Sequence, residues 1–406
     1  MAKLTIKRAA VVLALICIAA AGRADCLLKP GDRMVFLGDS ITEQRIYTRY
    51  VMDYFTLHYP GARIEFRNAG WVSDTAPGGL KRLERDVLAL KPTVVSICYG
   101  MNDAGVTSYK QSIYDRYIGA IKELVDTLRA KNIKVVLLSP GCVDESRASR
   151  LAGYNATLGR FASQLVDFAA KQGIPAYDIH APMLDVLNKA KAADPNFIMT
   201  NDGVHPQSSG HVVMAYGLLR ALGCGGIVST ATIDAAASKS TCDRCRISEL
   251  KATDNEVTFT RTDDSLPTYL DNGAWDVVKY FPFVQDLDSY TLKVTGLKPG
   301  RWNVLVEKGS VGVFTADELA NGVELADAPG PWKAVADEVN KATSDQEDLY
   351  YTRWRQIQLG KIPEACDAEK QALLEKMDSV VAAAESDRIS KAAAPRAWKW
   401  RIEPAQ

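Results

Sequence analysis

Five short apolar runs alternate with helical patterns over the first half of the chain, and this alternation limits the folds open to it. The runs lie at residues 34–37, 63–67, 93–98, 134–138 and 175–179. The segments between them, and a last one over residues 208–222, repeat apolar residues at helical spacing. Near-continuous apolar strands alternating with helices are typical of a buried parallel sheet with helices on both faces. The sequence therefore predicts an α/β fold with a five-stranded parallel sheet.

Polar or glycine-bearing clusters follow four of these segments. Ser40 comes after the first run, residues 68–70 after the second and residues 100–103 after the third. Residues 202–206 follow the fifth run by way of a helix and a loop. In parallel sheets, ligands bind beyond the carboxyl ends of the strands. The four clusters are thus predicted to meet at one edge of the sheet.

Ser40 is the candidate nucleophile. The sequence Gly38-Asp39-Ser40 takes an apolar strand through a small-residue turn into a helix. The backbone N–H of a serine in the first helical turn lacks an intrahelical partner, so one residue can supply both a nucleophile and an oxyanion donor. Gly38 and Asp39 would support this turn. The alternative is a plain glycine turn with an Asp/Ser helix cap.

His205 is the candidate base and Asp202 its partner. His205 lies in a loop bounded by glycine and proline, three residues after a carboxylate that can orient its ring. The other histidines fit other roles: His58 on the surface, His180 in a structural position and His211 in packing or capping. The alternative for residues 202–206 is a surface Asp–Gly turn before a proline.

Three donors are predicted to form an oxyanion hole: the backbone N–H groups of Ser40 and Gly70, and the side-chain amide of Asn102. Glycine at position 70 would let substrate approach the backbone closely, and a neutral amide is a fixed donor. Gly100 and Asp103 are predicted to support this part of the site. Alternatively, Asn102 ties a turn together and Asp103 caps the next segment.

The ordered blocks Gly38-Asp39-Ser40, Gly70, Gly100-x-Asn102-Asp103 and Asp202-x-x-His205 resemble the SGNH (GDSL) hydrolase family. The resemblance covers residues 33–222. It implies a flavodoxin-like, three-layer α/β/α fold, and it implies catalytic roles for Ser40, Gly70, Asn102, His205 and Asp202. It also allows several substrates: acetylated carbohydrate, small acyl esters, lipids and thioesters. The serine lacks the Gly-x-Ser-x-Gly setting of the ordinary α/β-hydrolase elbow.

Residues 1–24 have the pattern of a secretory signal peptide, with a basic start, an apolar core and a small-residue end. The whole chain carries 49 basic and 49 acidic residues, and four of the basic ones lie in this segment, so the mature chain has 45 against 49 and a net charge of −4. We therefore expect export to the periplasm or the cell exterior, with no stable membrane insertion after cleavage. The alternative for this segment is an uncleaved anchor. The charge offers no electrostatic case for nucleic acid as a partner.

The chain changes character after residue 225, which divides a predicted catalytic domain (25–225) from a C-terminal extension (226–406). Residues 229–241 are rich in Ala, Ser and Thr and resemble a linker. A small β region with an antiparallel meander is predicted over about 256–314, and helices over about 331–390. The paired tryptophans at 398–400 are predicted to dock on the catalytic domain, because paired tryptophans usually bury area. The alternative is that they bind a ligand.

The sequence as a whole predicts an exported serine esterase that hydrolyses a carboxylic ester through an acyl-serine intermediate, with no metal or organic cofactor. A polysaccharide or small-molecule ester is the expected substrate, and aromatic residues at a predicted rim (Trp71, Tyr99, Tyr109) favour acetylated carbohydrate. Lipid or thioester substrates are alternatives. A further alternative is a carbohydrate- or cell-envelope-binding protein in which the extension is the functional part.

Overall fold

The computed structural model describes residues 26–393 and 396–405. The predicted signal segment, residues 1–24, lies outside these described residues. Within them, no helix combines the length and the apolar character needed to cross a bilayer.

A five-stranded parallel sheet forms the centre of the first half of the chain, as predicted. Its strands are β1 (Arg33–Gly38), β2 (Glu65–Gly70), β3 (Val94–Cys98), β4 (Lys134–Leu138) and β5 (Ala176–Tyr177). All neighbours pair in parallel, in the order β2-β1-β3-β4-β5. The strand order reverses around β1, so the carboxyl ends of β1 and β3 border the position where such sheets bind ligands.

Helices flank this sheet on both faces and complete the α/β/α architecture. They are α1 (Ser40–Glu43), α2 (Ile46–His58), α3 (Ala76–Asp86), α4 (Gln111–Ala130), α5 (Tyr154–Lys171), α6 (His180–Ala193) and α7 (Ser208–Ala221). Helix α4 illustrates why they form: its buried residues Tyr117, Ile121, Leu124 and Leu128 recur every three to four positions, which gives one apolar stripe toward the sheet.

The second half of the chain adds two further sheets and more helices. Its strands are β6 (Ile227–Asp234), β7 (Lys239–Asp243), β8 (Cys245–Ala252), β9 (Val257–Asp263), β10 (Ser289–Thr295), β11 (Arg301–Val306), β12 (Gly309–Thr315), β13 (Val323–Glu324) and β14 (Arg396–Pro404). Its helices are α8 (Asn272–Val278), α9 (Ala316–Asn321), α10 (Pro331–Tyr351) and α11 (Asp367–Ala393). One sheet has the order β13-β10-β6-β7 and the other β12-β11-β14-β9-β8.

The segment over residues 229–241 is not a linker, as its composition suggested, because most of it lies in β6 and β7. Strand β6 is short of large side chains, yet Val228, Ala231 and Ile233 are fully buried. The predicted meander is divided between sheets: β11 and β12 form the antiparallel hairpin, whereas β10 pairs in parallel with β6. Local turn signals identify the hairpin but carry no information on this distant pairing.

The paired tryptophans near the C-terminus lie in β14, in the middle of the five-stranded sheet. The Trp400 ring stacks on Trp332 at a centroid distance of 5.8 Å and on Phe259 at 5.8 Å. These aromatic rings therefore fill the core of the C-terminal half. The prediction that they dock on the first half was wrong.

Helices α10 and α11 cover α2 on the outside of the parallel sheet. Thr343 donates a hydrogen bond to Asp53 at 2.5 Å across this contact, and the buried Arg388 donates to Thr56. His58, predicted on the surface, is 3% exposed, and its Nε2 lies 2.7 Å from Asp288 Oδ1. The face of α2 that the first half of the chain would leave exposed is therefore buried against the second half.

This interface also buries Glu347 beside Thr48, and burial raises the pKa of Glu347 to about 7 from its ordinary value of 4.5. Between pH 4.5 and about pH 7, this carboxyl is therefore protonated in the folded state and ionised in the unfolded chain. Stability contributed by the neutral carboxyl is full below pH 4.5 and is lost as the pH rises through 7. The amide of Glu347→Gln is neutral at every pH, so this variant should not lose stability in this way. We expect the Tm of Glu347→Gln minus the Tm of wild type to increase by several degrees from pH 5 to pH 8.

Thermal unfolding at pH 5, 6, 7 and 8 measures this difference. Glu338→Gln is the matched control, because Glu338 lies on the same helix with an exposed side chain. A difference in Tm between Glu347→Gln and wild type that stays constant over this pH range would contradict the expectation.

Candidate active site

The turn from β1 into α1 presents Ser40 at the carboxyl edge of the sheet. Gly38 packs closely: a Cβ atom there would lie 2.2 Å from Thr42 Oγ1 and 2.7 Å from the Cys98 carbonyl oxygen. Asp39 caps the helix by accepting a hydrogen bond from Ile41 N at 3.0 Å. Ser40 is thus the first residue of α1, where the backbone N–H has no acceptor within the helix.

Ser40, His205 and Asp202 form a continuous hydrogen-bonded chain. Ser40 Oγ lies 2.8 Å from His205 Nε2, and His205 Nδ1 lies 2.6 Å from Asp202 Oδ2. With Nδ1 protonated toward the carboxylate, Nε2 is free to accept from the serine hydroxyl. The side chains of His205 and Asp202 are 40% and 47% exposed, so water can reach them.

The loop that carries Asp202 and His205 is closed by its own hydrogen bonds. Asp202 Oδ1 accepts from the backbone N–H groups of Val204 at 2.9 Å and His205 at 2.8 Å. Burial alone would raise the pKa of this carboxyl, but the hydrogen bonds from His205 and Val204 outweigh it and lower the pKa of Asp202 to about 2. Gly203 has a φ of +88°, a left-handed conformation that favours glycine.

Asn102 lies beyond β3, with one side-chain N–H donated to the Asp74 carbonyl oxygen at 2.9 Å. This bond fixes the amide and leaves its second N–H for another acceptor. Asp103 accepts from the backbone N–H groups of Ala76 at 2.9 Å and Gly100 at 3.1 Å. Gly100 has a φ of +124°. Asp103 therefore ties the turn that holds Asn102 to the start of α3.

Gly70 lies next to α1, but its geometry differs from the predicted one. Its N–H donates to Asn68 Oδ1 at 2.8 Å and is therefore already engaged. A Cβ atom on Gly70 would lie 2.2 Å from the backbone nitrogen of Glu43, so the glycine is needed for packing against α1 rather than for the approach of a substrate. The prediction that the backbone N–H of Gly70 is an oxyanion donor was therefore wrong.

Two buried carboxyl groups, those of Asp39 and Asp103, lie behind the site. Burial, together with the negative charges of Asp103 and Asp74, raises the pKa of Asp39 to about 7. Burial likewise raises the pKa of Asp103 to about 6. Both act as acceptors for backbone N–H groups at turns, and both are less than 5% exposed. They support the backbone on which Ser40 and Asn102 are mounted.

A cavity of about 350 Å³ opens directly onto the serine and the histidine. It is lined by Ser40, Glu43, Gln44, Arg45, Val72, His205 and Tyr351. Six of these seven side chains carry polar atoms. Sequence reasoning missed Tyr351, since no local signal links a residue of α10 to Glu43, 308 positions earlier.

The three aromatic residues predicted at the rim are absent from this lining. Tyr99 is 1% exposed and donates its hydroxyl to Asp74. Tyr109 packs under the Arg160 guanidinium, 3.5 Å from the ring centroid. Trp71 is covered by the Arg355 guanidinium, 3.6 Å from its ring centroid. Their aromatic rings are used for packing.

The two remaining histidines stay outside the hydrogen-bonded chain. Burial lowers the pKa of His211 to about 3, and its ring stacks on Tyr47, so it is a packing residue as predicted. His180 is 6% exposed, and burial lowers its pKa. Among residues 26–393 and 396–405, no group of three or more His, Cys, Asp or Glu side chains is arranged to hold a metal ion.

Comparison with known proteins gives one family and two informative relatives. Residues 36–213 match the GDSL-like Lipase/Acylhydrolase family. An acetylxylan esterase of Geobacillus stearothermophilus is 25% identical over 214 residues, which cover 48% of this chain and 94% of that protein. The solved structure of a gut microbial diltiazem-metabolizing enzyme covers 94% of this chain and 100% of its own, with a TM-score of 0.81 and 24% identity. The last likeness shows that the fold of both halves of this chain recurs in another protein.

Proposed function

From the match of residues 36–213 to the GDSL-like Lipase/Acylhydrolase family, we propose that the protein is a serine esterase with Ser40, His205 and Asp202 as its catalytic residues. The single observation that carries the proposal is the chain of contacts from Ser40 Oγ through both ring nitrogens of His205 to Asp202. A base within hydrogen-bond reach of a hydroxyl, oriented by a third group, is the arrangement that activates a serine.

Acylation begins when His205 Nε2 accepts the proton of Ser40. The serine oxygen forms a bond to the ester carbonyl carbon, and the carbonyl oxygen becomes negatively charged. When the bond from carbon to the alcohol oxygen breaks, His205 returns its proton to the departing alcohol, and the acyl group stays on Ser40. Asp202 stabilises the imidazolium between these two proton transfers, because its low pKa keeps it ionised.

Deacylation repeats these steps with water in place of the serine. His205 removes a proton from the water as it attacks the acyl carbon, and then returns that proton to Ser40 as the carboxylic acid leaves. The partial exposure of His205 supports this step, since solvent reaches the base directly. Side chains and water supply every bond change, so the scheme calls on no cofactor.

The developing negative oxygen needs donors, and two candidates remain because the N–H of Gly70 is engaged by Asn68. One is the backbone N–H of Ser40 at the start of α1. The other is the second side-chain N–H of Asn102, whose amide is fixed by Asp74. Fixed donors aimed at the oxyanion stabilise the transition state without reorganising during the reaction.

Acetylated carbohydrate is the substrate class that we propose. The polar lining of the cavity at Ser40 supports an ester of a hydroxylated alcohol, because these polar side chains can form hydrogen bonds with the free hydroxyl groups of such an alcohol. The relative described as an acetylxylan esterase supports the same class. Export remains a prediction from residues 1–24, which N-terminal sequencing of the secreted protein would test.

Hydrolysis assays test the proposed function directly. The mature chain would be given p-nitrophenyl esters of increasing acyl length and acetylated xylan at neutral pH. We expect turnover to be highest for acetate and acetic acid to be released from the xylan. Labelling with an organophosphate, followed by peptide mass spectrometry, is expected to place the adduct on Ser40. A folded protein that neither hydrolyses these esters nor reacts with the organophosphate would contradict the proposal.

Asp202→Asn tests the role of the carboxylate. We expect kcat to fall by about 10²–10⁴-fold, because the amide nitrogen would face Nδ1 and favour the ring tautomer that cannot accept the serine proton. Oδ1 can keep its two backbone hydrogen bonds, so the loop should stay folded. Steady-state kinetics with p-nitrophenyl acetate gives the result, and Asp194→Asn, in the loop after α6, is the control. An unchanged kcat would remove Asp202 from the mechanism.

A further inference from the structure

We infer that Tyr351, supplied by α10, contacts the alcohol part of the ester and determines which alcohols the enzyme accepts. This inference rests on the proposed esterase function. It gives the C-terminal half of the chain a part in substrate selection, beyond its part in covering the first half.

Tyr351 is the one residue of the cavity lining that lies after His205 in the sequence. It is the last residue of α10 and is partly exposed. The other six lining residues come from the loops and the short helix around Ser40 and from the His205 loop. The cavity therefore has one wall that the first half of the chain does not provide.

The Tyr351 ring is held in a defined position. Its hydroxyl donates to Glu43 Oε1 at 3.1 Å, and the Arg45 guanidinium lies 4.7 Å from the ring centroid. Arg45 is itself fixed by Asp348 at 2.6 Å, one turn before Tyr351 on α10. A side chain fixed on several sides can present a constant surface to a substrate.

The chain that follows Tyr351 anchors this wall to the first half. Residues 352–358 form a π-helical segment, a geometry that is frequent at functional sites. Within it, the Arg355 guanidinium lies 3.3 Å from Glu43 and covers Trp71, while the Trp354 ring packs edge-on against Trp71 at 5.9 Å. The segment after Tyr351 is thus connected both to Glu43 of α1 and to Trp71, which follows β2.

The position of His205 indicates which part of the ester this cavity receives. His205 Nε2 must return its proton to the departing alcohol oxygen, so the alcohol lies on the histidine side of Ser40. The cavity includes His205 but not Asn102, the donor proposed for the acyl oxygen. Glu43, Gln44, Arg45 and Tyr351 offer both donors and acceptors there, which suits a polyhydroxylated alcohol such as a sugar.

Two variants separate the aromatic ring from its hydroxyl. Tyr351→Ala removes the wall, and Tyr351→Phe keeps the ring and loses only the bond to Glu43. The substrates are xylose tetraacetate, p-nitrophenyl acetate and p-nitrophenyl butyrate. The first two share an acyl group and differ in the alcohol, and the last two share an alcohol and differ in the acyl group.

We expect Tyr351→Ala to lower kcat/KM for xylose tetraacetate, relative to p-nitrophenyl acetate, by about 10-fold, and Tyr351→Phe to lower this ratio by less than about 3-fold. The acetate-to-butyrate ratio should stay within about twofold of wild type in both variants, since the acyl group lies elsewhere. Lys341→Ala, exposed on the same helix, is the control and should match wild type. Melting temperatures establish that each variant is folded.

An unchanged alcohol ratio in a folded Tyr351→Ala protein would overturn the inference. A change in the acetate-to-butyrate ratio would also overturn it, because Tyr351 would then border the acyl group. A third outcome would overturn it as well: if Tyr351→Phe behaves like Tyr351→Ala, the hydroxyl acts through Glu43 and the ring does not contact the alcohol. Failure of the esterase proposal itself is distinct: wild type would then hydrolyse none of the three esters.

Discussion

Replacing Ser40 by alanine is expected to lower kcat for p-nitrophenyl acetate by roughly 10⁴–10⁶-fold. The substitution removes the oxygen that forms the bond to the carbonyl carbon. It leaves His205 and Asp202 in place, but neither can substitute for a nucleophile held 2.8 Å from the ring nitrogen. Residual activity would come from oxyanion donors and binding alone.

Steady-state assays, with the organophosphate reaction run in parallel, measure this effect. The variant should fold as wild type does, because the backbone bonds of α1 and the Asp39 cap do not involve the serine side chain. Ser163→Ala, at an exposed position on α5, is the matched control and should keep full activity. Turnover by Ser40→Ala within tenfold of wild type would show that hydrolysis follows another route.

Ending the chain after residue 225 is expected to leave less than about a tenth of the protein soluble, because it uncovers apolar surface along α2. Eleven of the thirteen residues of α2 are buried, although this helix lies on the outside of the parallel sheet. Helices α10 and α11 provide much of that cover. The truncation also removes the hydrogen-bond partners of Asp53 and Thr56, which lie on α10 and α11, and Asp288, the partner of His58.

Soluble yield and near-UV circular dichroism of residues 25–225 would be compared with those of the whole mature chain. A protease site inserted between Gly225 and Gly226 is the control, since cleavage after folding should leave the two pieces associated and active. A soluble, cooperatively unfolding fragment with wild-type turnover of p-nitrophenyl acetate would contradict the expectation. It would make residues 226–406 a separable module.

The parallel sheet and the Ser40, Asp202 and His205 positions could be predicted because their signals are local. A buried strand appears as a run of apolar residues, and the topology then brings the ends of all five strands to one edge. Asp202 and His205 are separated by two residues, so their contact depends on a single turn. Ser40 depends on one strand-to-helix junction. None of these features requires knowledge of the second half of the chain.

The features that escaped prediction depend on contacts between distant parts of the sequence. His58 looked exposed because the residues that bury it come 230 positions later, at Asp288. Tyr99 and Trp71 are aromatic residues of the kind found at the rim of a binding site, but neighbours from other elements cover them. Gly70 is the instructive case: glycine indicates close approach to the backbone, but only the structure shows that Glu43 makes that approach. A glycine in the sequence can thus indicate that something approaches the backbone, but it does not indicate which residue or ligand approaches.

The loop from Thr200 to Pro206 carries both the acid, Asp202, and the base, His205, on one short, hydrogen-bonded segment. A β-bridge joins its two ends, and Gly203 accepts a hydrogen bond from the backbone N–H of Asp144 at 2.8 Å. Asp202 and His205 therefore translate together, and the alignment of the ring against the carboxylate survives any displacement of the loop as a whole. The distance that such a displacement changes is the one between His205 Nε2 and Ser40 Oγ. Partial thermal opening of this loop should therefore separate His205 from Ser40 while the contact between His205 and Asp202 persists, so that activity is lost before the loop itself unfolds.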